Sequence, residues 1–104
     1  MDEERFECEA AGKRMIGRVV VVRRAGIAPP VVEVQMSEEG GKSIGPLVRV
    51  EFSIGESLKM PPEVAEFDAV VRRRAICEFM LRGGPEKIIK LARLGTTTAQ
   101  VIRI

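Results

Sequence analysis

The 104-residue chain has no histidine, asparagine, tryptophan or tyrosine, and its four phenylalanines are its only aromatic residues. Without histidine, the usual zinc sites and the Ser-His and Cys-His nucleophile systems cannot be built. Two cysteines, Cys8 and Cys77, stand 69 positions apart and form no CxxC, so a cysteine metal site is not expected. Read alone, they are either small buried apolar residues or a disulfide of the kind that heat-adapted intracellular proteins use. Long apolar runs are missing too: the longest is Val19 to Val22, far short of a membrane span. The opening MDEERFECE is acidic and has no apolar signal core, which makes the cytoplasm the expected location. The lack of asparagine, together with only two glutamines and many ionic residues, points to a heat-adapted source. No nucleophile–base set is visible, so neither enzyme activity nor a cofactor is expected.

Arginine is plentiful by contrast, with twelve against five lysines. Its planar fork suits phosphate and carboxylate recognition. The net charge of +2 conceals a strong pattern. Residues 1–10 sum to −4, residues 11–24 to +5, residues 25–60 to −2, residues 61–82 to zero and residues 83–104 to +3. Basic charge is therefore concentrated in two segments, which matters more for polyanion binding than the net value.

The first half of the chain alternates with period two, the mark of half-buried strands. Phe6 and Cys8 alternate with Arg5, Glu7 and Glu9, and Ala11-Gly12 reads as a turn. In the next strand Met15, Gly17, Val19 and Val21 share one face, and Arg14, Ile16, Arg18, Val20, Val22 and Arg24 share the other. A third strand sets Val32, Val34 and Met36 against Val31, Glu33 and Gln35. A fourth sets Val48, Val50, Phe52 and Ile54 against Leu47, Arg49, Glu51 and Ser53. Short connections between such strands predict an antiparallel meander with one apolar face.

The second half changes period. Pro61-Pro62 opens a helix running to about Leu81, with Val64, Phe67, Val70 and Val71 as the stripe expected to face the sheet. Its AICEFML stretch is apolar almost all round, so that end is either deeply buried or part of an interface. Gly83-Gly84 stops it, and Pro85 opens a shorter helix that closes at Gly95. The expected fold is α+β: one domain over residues 1–104, with a four-stranded antiparallel sheet followed by two helices packed on one face and room for a short C-terminal strand.

Two motifs invite stronger readings. GGKS at Gly40 to Ser43 has only the tail of a phosphate loop, because Met36 stands where the pattern needs glycine and no helix follows. Residues 85–104 resemble a helix-turn-helix: Gly95 and Val101 keep its spacing, but Leu91 stands where a small residue is usual. Thr, Val and Ile in TTTAQVIRI favour a strand instead.

The candidate site grows from RMIGRVVVVRRAG. Arg14 and Arg18 point the same way as Arg24 and share polar parity with Arg49 on the fourth strand, with Arg23 beside them in sequence. Such a face is either a solvated ladder of arginines paired with glutamates across strands, or a grip for phosphates. Ile16, Val20 and Val22 lie among the cations, and apolar patches rimmed by arginine can pack bases. Arg72, Arg73 and Arg74 point in three directions on a helix, so they cannot form one patch alone, and one or more of them is expected to join the phosphate contacts. Phe52 is the first choice among the phenylalanines for stacking a base.

Four strands followed by helix, in a small arginine-rich chain, is similar in outline to two single-stranded DNA-binding families. One is the PC4/Whirly type. The other, to which composition and element order are more similar, is ThermoDBP, the single-stranded DNA-binding protein of Thermoproteales. That resemblance implies bases held in an apolar cleft flanked by basic residues, and subunits joined through a C-terminal coiled coil. Here VIRI ends the chain, so the likeness implies a shortened DNA-binding domain or a different dimer contact. The expected partner is single-stranded DNA, with RNA as an admissible substitute, a homodimer as an option and no membrane. The alternatives are a helix-turn-helix regulator of duplex DNA and an oligomeric assembly protein.

Overall fold

The computed structural model describes residues 3–22, 31–52 and 64–104, with the side chains of residues 64–68 left aside. Its strands are β1 (Glu3–Ala10), β2 (Lys13–Val22), β3 (Val31–Glu38), β4 (Ser43–Glu51) and β5 (Gln100–Arg103). Between β4 and β5 lie the helices α1 (Val64–Leu81) and α2 (Gly84–Arg93). The five strands form one sheet in sequence order. The first four pair antiparallel, and β5 joins β4 in parallel after the chain has crossed one face through the helices. This is the expected α+β fold, and TTTAQVIRI ends in a strand as its β-branched residues favour. No described helix is long and apolar enough to cross a membrane.

Alternation decides which face is covered. Phe6, Cys8 and Ala10 from β1, and Met15, Gly17, Val19 and Val21 from β2, face the helices. Val32, Val34 and Met36 join them from β3, Val48, Val50 and Phe52 from the β4 strand and its end, and Ile102 from β5. From above, α1 contributes Val71, Ala75 and Phe79 at fourfold spacing, and α2 contributes Ile88 and Ile89. Phe79 is fully buried and meets Phe6 edge to face at 6.2 Å. Burying such a ring is worth roughly 2–3 kcal/mol. A Cβ at position 17 would collide with the Phe6 ring, so glycine there lets the ring lie flat on the sheet.

Three expectations about α1 change. Val70 is 40% exposed rather than turned to the sheet, because Val71 takes the inward position. The AICEFML end divides: Ala75 and Phe79 are buried, while Cys77, Met80 and Leu81 face outward, Leu81 with 76% exposure. Arg72 reaches Glu4 on β1 at 3.4 Å, so it bridges helix and sheet on the covered side. Pro61, Pro62 and Ile54 lie outside the described residues. Cys8 and Cys77 are both free.

The β1–β2 connection is a two-residue turn in which Ala11 and Gly12 both have positive φ, 52° and 75°. Such primed turns match the twist of a hairpin but favour Asn-Gly. With no asparagine in the chain, alanine carries a left-handed conformation that costs it about 1 kcal/mol. Ala11→Asn should therefore stabilise the fold by about 1 kcal/mol, readable as a higher denaturant midpoint at unchanged slope. A lower midpoint would mean that the turn is not strained.

Candidate nucleic-acid interface

Among the described residues, only one face of the sheet carries helices, and Val31 is the one fully buried side chain on the other. Cross-strand register lays out the other in rows. Glu3, Val20, Glu33, Arg49 and Val101 form one row from edge to edge. Arg5, Arg18 and Gln35 form the next, then Glu7, Ile16, Ser37 and Ser43, and last Glu9 beside Arg14. On the other side of the first row, Val22 and Val31 lead to Glu51 and Arg103.

These rows pair opposite charges. Arg18 grips Glu3 with Nε at 2.8 Å and a terminal nitrogen at 3.1 Å, and Arg5 Nε lies 3.4 Å from the same carboxylate. Arg14 donates to Glu7 at 3.3 Å, and Arg103 lies 3.7 Å from Glu51. Arg49 is held more loosely: Glu33 is 3.9 Å away, and the arginine Nε is shielded from solvent without a hydrogen bond. The described face thus carries Arg5, Arg14, Arg18, Arg49 and Arg103 against Glu3, Glu7, Glu9, Glu33 and Glu51, a balance of five and five. Exposed pairs of this kind are weak and exchange readily for another anion. Ile16, Val20 and Val22 stay half-buried among them.

The face also holds a cup of about 400 Å³, lined by Arg5, Ile16, Arg18, Gln35, Ser37, Gly40, Gly41 and Ser43. Two rows of the sheet supply its floor, and the β3–β4 turn supplies the glycines. No carboxylate lines it. The Ser43 hydroxyl has no partner among the described residues, and Ser37 Oγ makes only a long bond of 3.3 Å to the Ile16 carbonyl.

The structure gathers some of the candidate residues and scatters others. Arg14, Arg18 and Arg49 share the open face. Arg23 and Arg24 lie outside the described residues. Phe52 is corrected: it is 4% exposed in the core, because its parity is that of Val48 and Val50, and it cannot stack a base. The three helix arginines lie away from the open face. Arg72 pairs with Glu4, Arg74 lies 3.7 Å from Glu78, and Arg73 is exposed without an ion pair among the described residues. Arg5, Ser37 and Ser43 are the additions. The turn at Ala11-Gly12 pairs residues whose numbers sum to 23, which sets Arg5 beside Arg18, so that neighbour was readable from the turn.

Elsewhere, Lys87, Lys90 and Arg93 on α2 are exposed and make no ion pair among the described residues. The helix-turn-helix expectation fails geometrically, because residues 100–103 form β5 where the second helix would stand. Cys8 faces the helices, where burial, reinforced by the Glu86 charge, pushes its thiol up, so it is a poor nucleophile. Comparison with known proteins finds no matching family model, no matching curated protein and no matching solved structure.

Glu3 ties the open face to pH. Its hydrogen bond to Arg18, followed by the charges of Arg18 and Arg5, holds its carboxyl below the ordinary value of 4.5 against partial desolvation. A depressed carboxylate contributes stability above its unfolded pKa and loses it as pH falls through the folded value. Glu3→Gln should lower the melting temperature slightly at pH 7, and the gap to wild type should close on acidification below 4.5. A gap that persisted unchanged at the acid end would mean that the Arg18–Glu3 pair does not form in solution.

Proposed function

We propose that this protein binds single-stranded nucleic acid without sequence preference, laying the strand across the open face of the sheet. DNA is the proposed ligand and RNA the competing one, in the cytoplasm. The observation that carries the reading is the cup: two guanidinium groups, two hydroxyls and a glycine turn converge with no carboxylate in the lining. Around it, Arg14 and Arg49 offer further phosphate contacts, and Ile16, Val20 and Val22 offer an aliphatic floor for bases. The layout likeness to ThermoDBP-type proteins, which flank an apolar cleft with basic residues, points the same way.

The reading has energetic consequences. The described phenylalanine side chains, Phe6, Phe52 and Phe79, all pack on the covered side, so bases would meet aliphatic side chains and guanidinium planes among the described residues. The about 1–3 kcal/mol per base that aromatic stacking gives other single-strand binders is then largely missing. Outside the cup, each phosphate must also displace a glutamate. Binding should therefore be modest and strongly salt-dependent.

A second reading is assembly. Val70, Met80 and Leu81 are exposed on the outward side of α1 and favour self-association, including a homodimer. That reading requires no nucleic acid.

Fluorescence anisotropy with labelled single- and double-stranded 20-mers, across a salt series, separates the two. The proposal expects single strands to bind more tightly than duplex, with a log–log salt slope of about −0.7 per phosphate engaged. Arg14→Ala and Arg49→Ala should each flatten that slope by about 0.7. No binding at low salt, with sedimentation as an oligomer, would give the assembly reading first place.

A further inference from the structure

We propose that the cup formed by Arg5, Arg18, Ser37, Ser43 and the Gly40-Gly41 turn is a site for a phosphate monoester, the terminal phosphate of a strand or of a nucleotide. For a strand end, this rests on the sheet-face reading above; for a free nucleotide it stands without it.

The argument begins with donors. A guanidinium carries five N–H bonds. Glu3 takes Nε and one terminal nitrogen of Arg18, at 2.8 and 3.1 Å, and Nε of Arg5 at 3.4 Å. Both arginines keep further N–H groups, and both line the cup, while Glu3 does not. The carboxylate therefore holds two forks in place from outside the site, which lowers the cost of ordering them around an anion. Ser43 adds a hydroxyl without a partner among the described residues, and Ser37 adds one that can leave its long bond to Ile16 by rotation. Gln35 is anchored through its amide nitrogen to the carbonyls of Met36 and Gly45, at 3.2 and 3.4 Å. Its own carbonyl oxygen is left to accept a hydrogen bond from a sugar hydroxyl or a protonated phosphate.

Converging donors of this number suit a monoester better than a diester. A terminal phosphate presents three oxygens and a charge of about −1.5 to −2 near neutral pH. A phosphodiester within a strand presents two oxygens and one charge, and its chain must leave on both sides, one of which the Gly40-Gly41 turn occupies. At about 400 Å³ the cup has room for a phosphate and an attached sugar. The GGKS sequence thus acts differently from a phosphate loop. It folds no helix onto the anion; its glycines wall the cup without side chains, and Ser43 points a hydroxyl into it.

The test compares deoxythymidine 10-mers that carry a 5′-phosphate, a 3′-phosphate or hydroxyls at both ends, at fixed ionic strength. A hydroxyl-ended 11-mer controls for added charge, and thymidine 5′-monophosphate serves as the free nucleotide. An end phosphate should tighten binding about tenfold over both hydroxyl-ended strands, as charge-assisted contacts of this kind do. That gain should vanish in Arg18→Ala and shrink in Ser43→Ala, whose circular dichroism should match wild type because both positions are exposed. Arg18→Lys keeps the charge but not the fork and should recover little of the gain. Equal binding of phosphorylated and hydroxyl-ended strands would overturn the cup and leave the sheet-face reading standing. Binding of the monophosphate without any strand would support the cup and overturn that reading. No binding of any ligand would overturn both.

Discussion

The register between β1 and β2 is the constraint on which the rest depends. A two-residue turn at Ala11-Gly12 sets it, and a slip of one position would exchange the faces of β1. In the native register Phe6 falls on Gly17, the one position in β2 that leaves room for its ring, and from there it meets Phe79 of α1. The same register brings Glu3 between Arg5 and Arg18 on the opposite face. Core and candidate site are thus two consequences of one turn: what seats the first helix on the sheet also aims two guanidinium groups at the cup.

Charge on the open face is a matter of arrangement rather than excess. Five arginines meet five glutamates, so the face as a whole attracts a polyanion weakly. Attraction is local instead. It is strongest where arginine side chains line a space that glutamates do not enter, as in the cup, and where a pair is loose, as at Arg49 and Glu33. Lys87, Lys90 and Arg93 of α2, which make no ion pair among the described residues, lie on the helical side of the molecule and would compete with this face for a polyanion. On the proposed reading, a paired ladder and a phosphate grip would be two states of the same residues outside the cup.

Much of this was legible in the sequence. Period-two alternation from Phe6 to Phe52 placed the strands and both faces, and Gly83-Gly84-Pro85 marked the break between helices. Phe52 shares the parity of Val48 and Val50, which places it in the core whatever its appeal as a stacking group. Other features depend on contacts distant in sequence. The inward position of Val71 rather than Val70, and the reach of Arg72 to Glu4, follow from how α1 lies on the sheet. The register shift between Val34 and Met36, which moves Ser43 opposite Ser37, has no mark in the local pattern. Without it the cup could not be assembled on paper.

The central claim, that the uncovered sheet face rather than α2 meets the ligand, is tested most directly by a two-dimensional NMR titration of the isotope-labelled protein with an unlabelled thymidine 20-mer. The account predicts that the amides of Arg5, Arg18, Ser37, Gly40 and Gly41 shift first and furthest, while those of Lys87, Lys90 and Arg93 stay in place. Shifts confined to Lys87, Lys90 and Arg93 would contradict it and move the interface to the helical side.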